Sequence, residues 1–274
     1  MPRRRDDIQE HYASPDIVER VLTAVAQVGR PAEPLSAEML YQFDQLHGRE
    51  IVATREHVAR LHLRSGMHVL DVGSGIGGPA RYIAMTHDVL VTGIDVTPEF
   101  VVTARDLTRR CGLENRINFH EADALAMPFP NDSFDAALCL YVAMNIPDKG
   151  QLCREIYRVL RPGARLVWSE VALGPVGPAR FPLPWASVPA ANFLVPPQVL
   201  RQILAKTGFR VLNLIDESQR FIAAPAPAGL TFPSERPTAN QIVMGNDFLK
   251  RRENLILNLM EGRLLSILIE AQKA

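Results

Sequence analysis

The sequence predicts an α/β fold on a mostly parallel sheet, and three observations lead there. An apolar run over 68–72 leads into Asp71-Val-Gly73-Ser-Gly75-Ile-Gly77-Gly78, and a helical pattern begins at once. Glycine lacks a Cβ, so it takes positive φ and lets a ligand approach the backbone, while the helix start offers unpaired N–H groups. A second apolar strand, 89–94, ends at Asp95. That is about 20 residues beyond the glycines, a spacing that suits a carboxylate accepting from ribose hydroxyls. Third, Leu160-Arg-Pro-Gly163-Ala joins a helical pattern to a further apolar strand. Proline cannot continue a helix, and glycine supplies the reversal. Strands alternating with helices mean a layered α/β domain.

Composition bounds the function classes. The chain has 274 residues, 47% of them hydrophobic and 22% charged, with thirty basic residues against thirty acidic. That is enough for one substantial core, and the balanced charge gives no global field for nucleic acid or a membrane. No apolar segment has spanning length. Arg3-Arg4-Arg5 reads as a solvated terminus without an apolar stretch behind it. Cys111, Cys139 and Cys153 have no C-x-x-C spacing and read as buried thiols, which fits a cytoplasmic setting. The seven histidines lack paired ligand spacing, so no metal is expected.

In chain order, 6–29 reads as a helix on the recurrence of Ile17, Val18, Val21, Leu22 and Val25, ending at Gly29-Arg30-Pro31. After Pro34 a second helical region is expected over roughly 37–63. Helix 78–86 follows the glycine loop. A further helix opens at Thr97-Pro98, with Thr97 as N-cap, and closes at Cys111-Gly112. Strands are expected near Phe119, over 136–140, over 164–170 and over 209–215. A helix over 197–208, a proline-rich loop over 224–237, an amphipathic helix over 238–259 and a last strand over 262–270 complete the chain. Asp71, Asp95 and Asp123 fall at successive strand ends, each beside a crossover. The turn 141–148 lies where parallel strands present their carboxyl ends to ligands. The segment 173–197, with Phe181, Trp185 and Phe193, reads as an apolar loop that either shapes a pocket or packs on the core.

The motif Asp71-x-Gly73-x-Gly75-x-Gly77 resembles that of class I S-adenosylmethionine-dependent methyltransferases, and Leu-Arg-Pro-Gly-Ala and Phe134-Asp135 resemble further signatures of that family. The likeness covers about 66–172 well and the flanks more loosely. It implies a Rossmann-like seven-stranded sheet with an antiparallel last strand, helices on both faces and an N-terminal helical cap. On that reading 1–63 is the cap, 64–172 the cofactor-binding core, 173–197 the substrate cover and 198–274 the remainder of a single domain. The cofactor implied is S-adenosylmethionine. Asp71, Gly73, Gly75, Gly77, Asp95, Val96, Asp123, Ala124 and Leu140 would hold it. Asp123 would accept from the adenine amino group.

Phe43-Asp44-Gln45-Leu46-His47-Gly48-Arg49 resembles a segment of sarcosine- and dimethylglycine-type N-methyltransferases, which assigns Gln45 and His47 to the methionine end of the cofactor. Tyr12, Tyr141, Asn145 and Trp185 are then the substrate-side residues, and Tyr12, His47, Tyr141 and Asn145 are the available hydrogen-bonding catalysts. An amino-acid carboxylate would want Arg49 or Arg180. Methylation of a small amine is the expected activity. The alternatives are C- or O-methylation of an apolar natural product or isoprenoid and, from another class, a nicotinamide-dependent oxidoreductase reading the loop as Gly73, Gly75, Gly78. A small-molecule substrate is the expected partner.

Overall fold

The computed structural model describes residues 9, 11–12, 15–27, 35–223, 238–245 and 247–274. The expectations for Arg3–Arg5, Gly29–Pro31, Pro34 and 224–237 lie outside them. Before the sheet the described residues include α1 (Ile17–Gln27), α2 (Ala37–Leu40) and α3 (Glu50–Ala59), with residues 9, 11 and 12 also helical. Strand β1 (His68–Val72) leads to α4 (Gly78–Thr86), then β2 (Leu90–Asp95) and α5 (Pro98–Arg110). Strands β3 (Ile117–Glu121) and β4 (Phe134–Leu140) follow, then α6 (Lys149–Val159) and β5 (Leu160–Leu173). The chain continues through α7 (Pro197–Thr207), β6 (Phe209–Asp216) and α8 (Ser218–Ala223). It closes with α9 (Ala239–Met244), α10 (Asp247–Met260) and β7 (Leu264–Lys273).

The seven strands form one sheet in the order β3-β2-β1-β4-β5-β7-β6. Strands β3 to β5 pair in parallel, and β7 runs antiparallel to both β5 and β6. Both faces of the sheet are covered, one centred on Leu70, Trp168 and Phe134 and the other on Val69, Ile83 and Leu138. That is why β1 and β4 read as unbroken apolar runs rather than alternating ones. Strand order reverses between β1 and β4, and a crevice opens above their carboxyl ends at such a switch point.

Three helices are shorter than their periodicity predicts. The helix predicted over 6–29 is interrupted: residues 9, 11 and 12 are helical, 15–16 form a turn with Asp16 at φ 57°, and α1 starts at Ile17. The region 37–63 is not one helix. Arg49 and Glu50 take left-handed φ of 63° and 47°, and 41–49 turns away from helix geometry. The break carries Asp44 inward to Arg81, with their closest atoms 3.0 Å apart. The amphipathic stretch 238–259 likewise divides, because Gly245 at φ 75° ends α9. Thr238 and Gln241 cap that helix reciprocally, as a Thr-x-x-Gln signal should. The turn expected at Arg161-Pro162-Gly163 is a bulge inside β5, where pairing jumps from Phe134–Leu160 to Ala136–Arg165.

Candidate active site

The crevice holds a cavity of about 950 Å³. Its floor is the loop after β1. Asp71 is buried, and its Oδ2 has no hydrogen-bond partner. Burial, with Asp95 nearby, pushes the Asp71 carboxyl up to about 7. Gly73 sits at φ 67°, and a Cβ there would overlap the Val142 isopropyl group. The Gly75 N–H donates to Asp95 Oδ2 at 2.9 Å and the Thr97 N–H to Asp95 Oδ1 at 2.9 Å. Asp95 therefore ties the glycine loop to the end of β2. Asp123 is anchored by the Leu125 N–H at 2.8 Å. Val96, Ala124 and Leu140 complete this end of the lining.

The opposite wall comes from remote segments. Tyr12, His47, Tyr141, Asn145 and Trp185 all line the cavity. The Asn145 amide donates to Tyr12 Oη at 3.3 Å, and the Tyr12 ring rests on Phe100 at 5.8 Å. Gln9 donates to the Val96 carbonyl at 2.7 Å, which fastens the N-terminal segment over the β2 end. Tyr141 shares a hydrogen bond with Ser266, and burial pushes its hydroxyl up to about 12. Trp185 satisfies both readings of its loop: it lines the cavity and packs against Met144, Leu183 and Leu255.

Two expected cofactor residues lie off the lining. Gln45 is fully buried and bonds Asp44 and Thr54 instead. Gly77 begins α4 at φ 85°, where a Cβ would crowd Phe119 and Arg81. Its lack of a side chain serves packing between α4 and β3. Of the two arginines, Arg180 pairs with Glu261 on the surface, away from the cavity. Arg49 does line the cavity, but its guanidinium is engaged by Glu56 and Glu217.

Residues 70–168 match the methyltransferase-domain family. They belong to that family. An O-methyltransferase of Pyrenophora dematioidea is 36% identical over 167 residues, 61% of this chain and 62% of the relative. The match thus spans about three fifths of that relative's length. Among solved structures, the cyclase SpnF superposes with a TM-score of 0.68 at 24% identity, covering 99% of this chain and 97% of that one. A Galdieria sulphuraria structure named for a sarcosine dimethylglycine methyltransferase reaches 0.67 at 15% identity, over 82% and 86% of the two chains. These structures establish the fold as that of class I methyltransferases. The nicotinamide alternative finds no support in these matches.

The residues fit S-adenosylmethionine, the cofactor that the motif resemblance implies. The partnerless Asp71 Oδ2 is a ready acceptor for the cofactor's ammonium group. The glycine loop leaves its backbone open, and Asp95 keeps lone pairs free beyond its two backbone bonds. Asp71 also makes binding pH-dependent. In the free protein it holds a proton to about pH 7, so stability falls as pH rises from about 4 to 7, by up to about 1.4 kcal/mol per pH unit. Glu50 and Glu170, also pushed up to about 7, act in the same window. Cofactor affinity is expected to rise from pH 6 to 8, with proton release on binding. Calorimetry in buffers of different ionisation enthalpy measures that release, and Asp71→Asn should abolish Asp71's share.

One contributor gives no sequence signal. Lys149 at the start of α6 reads as a solvated helix residue, yet it is buried. Its ammonium donates to the carbonyls of Ala143 at 2.6 Å, Ile146 at 2.6 Å and Phe193 at 2.8 Å. It fastens the turn bearing Asn145 to the cover segment. Lys149→Met leaves three acceptors unpaired, and a loss of at least about 2 kcal/mol is expected in denaturant unfolding. An unchanged midpoint would assign those carbonyls to water.

Proposed function

We propose that the chain is an S-adenosylmethionine-dependent methyltransferase acting on a hydroxyl oxygen of a sizeable, mostly apolar small molecule. The carrying observation is the cavity itself. Beyond the carboxylate-lined end it is walled by Met144, Trp185, Phe221, Val243, Phe248 and Leu255. That is more apolar surface than a small amine would cover, and Glu50, Arg220, Asn240 and Arg252 add polar groups to the same lining that can orient an acceptor. The small amino-acid reading is not carried further on the two arginines it named: Arg49 is engaged by Glu56 and Glu217, and Arg180 lies elsewhere. The similarity to an O-methyltransferase supports oxygen as the methylated atom.

The cofactor, when bound, supplies an already activated methyl group. The chain's own work is alignment and exclusion of water. The loop carboxylates hold one reactant, and the Trp185 wall orients the other. Calorimetric titration with S-adenosylmethionine, S-adenosylhomocysteine and NADH tests the cofactor, with micromolar binding of the first two expected and none of NADH. Acceptor screening of lipophilic phenols and alcohols against sarcosine, glycine and small amines tests the substrate class. Turnover of the amines alone would overturn the proposed acceptor.

A further inference from the structure

We infer that Arg252 and Glu50 form an anchoring subsite for a carboxylate, which the acceptor carries apart from the hydroxyl it offers for methylation. The inference rests on the reading above of a hydroxyl-methylating enzyme and adds the group that sets its acceptor specificity.

Among the described residues, the arginines Arg49, Arg220 and Arg252 line the cavity. Arg49 is engaged by Glu56 and Glu217, and Arg220 lies 3.6 Å from each of the same two carboxylates. Arg252 is different. Among the described residues it makes no hydrogen bond and no ion pair, and only Glu50 acts on it through space. Its chain neighbour Arg251 points elsewhere, donating to the Leu183 carbonyl at 2.9 Å. Phe248, Arg252 and Leu255 all line the cavity, at helical spacing, so one stripe of α10 faces it. The two flanking side chains are buried and apolar, and Arg252 between them is half-buried. Burial pushes its guanidinium down from the usual arginine range. A half-buried guanidinium with unused donors on a cavity wall favours an anion brought by the ligand.

Glu50 shares that lining and likewise has no hydrogen bond or ion pair among the described residues. Its φ of 47° is left-handed, a conformation that persists where the surrounding structure holds it. Burial pushes its carboxyl up to about 7, with Arg252 opposing. When protonated, Glu50 is a donor and can share a ligand carboxylate with the Arg252 fork. One free positive charge matches one negative charge, so the subsite suits a carboxylate better than a phosphate dianion. Helix α10 packs on β7, whereas Asp71, Asp95 and Asp123 stand at or beyond the ends of β1, β2 and β3, on the other half of the sheet. The anchor is thus set apart from the carboxylates that would repel an anion. The other charged groups in the lining around Glu50 are Arg220 from α8, and Arg49 and Glu56 from its own segment. His47, pushed down to about 4, stays neutral above pH 6. A bound carboxylate favours protonated Glu50, so binding takes up a proton and weakens as pH rises through about 7.

The test titrates decanoate, decanamide and decylammonium by calorimetry, into the free protein and into protein saturated with S-adenosylhomocysteine, which fixes the state of Asp71. At pH 6 decanoate is expected to bind about tenfold more tightly than either analogue, and to weaken toward pH 8 with proton uptake. Arg252→Gln should abolish that preference while melting at or near the wild-type temperature. Glu50→Gln should keep the preference and lose its pH dependence, because the amide still donates. Decanoate binding no tighter than decanamide would overturn the subsite. An Arg252→Gln protein that keeps the preference and only melts lower would also overturn it, and make the arginine a structural charge. With phenols that turn over, an appended carboxylate should lower KM about tenfold relative to its amide, with kcat within about twofold. Arg252→Gln should erase that difference. Turnover confined to amines would sink the hydroxyl reading, and absence of S-adenosylhomocysteine binding the cofactor reading. The decanoate preference of the free protein is measured independently of both.

Discussion

Asp95→Ala is expected to weaken S-adenosylmethionine binding by about 2–4 kcal/mol, roughly 30- to 700-fold in Kd. A carboxylate facing two ribose hydroxyls loses two charge-assisted bonds on truncation. Here the same carboxylate also accepts from Gly75 and Thr97, so the loop that receives the cofactor loses its tether as well. Burial pushes the Asp95 carboxyl up, and hydrogen bonds from the Thr97, Gly75 and Val96 backbone and the Thr97 side chain only partly hold it back, so the free protein bears a cost for keeping it. The variant should therefore melt at or near the wild-type temperature while binding poorly. Calorimetry and a thermal melt on the same sample separate the two effects. A Kd within about threefold of wild type would remove Asp95 from the ribose site.

Arg81→Met should have the largest effect on stability, about 3–5 kcal/mol, because it strands the Asp44 carboxylate in the interior. Arg81 also donates to the Ile76 carbonyl at 2.7 Å and to Thr108 at 3.1 Å, so it joins the glycine loop, α5 and the segment before α3. A fall in melting temperature of roughly 10 °C is expected. Adding Asp44→Leu should recover much of the loss, since a buried pair replaced on both sides leaves no uncompensated charge. A single variant as stable as the wild type would show that water reaches Asp44.

Both predictions rest on residues whose legibility in the sequence differed. Asp71, Gly73, Gly75, Asp95 and Asp123 could be read directly, because each sits at a strand end whose position the local apolar pattern already marks. Gly77 carries the same motif signal, and its missing side chain makes room for Phe119 and Arg81. Gln45, which its motif assigns to the cofactor, is fully buried and bonds Asp44 and Thr54. Helix periodicity over 37–63 and 238–259 was real, but it could not reveal breaks at Arg49–Glu50 and Gly245. Buried pairing outweighed local propensity at the first, and the left-handed glycine decided the second.

The sequence by itself determined the strands, their alternation with helices and the positions of the loop carboxylates, because strand periodicity and glycine chemistry act over a few residues. It also identified the family, through motifs that are local for the same reason. Only the tertiary structure decided that Lys149 is a buried clamp, that Arg49 is already paired with Glu217, and that Arg81 is buried against Asp44. Those contacts join residues far apart in the chain. Burial and hydrogen-bond polarity assign the roles there, and neither exists until the chain has folded.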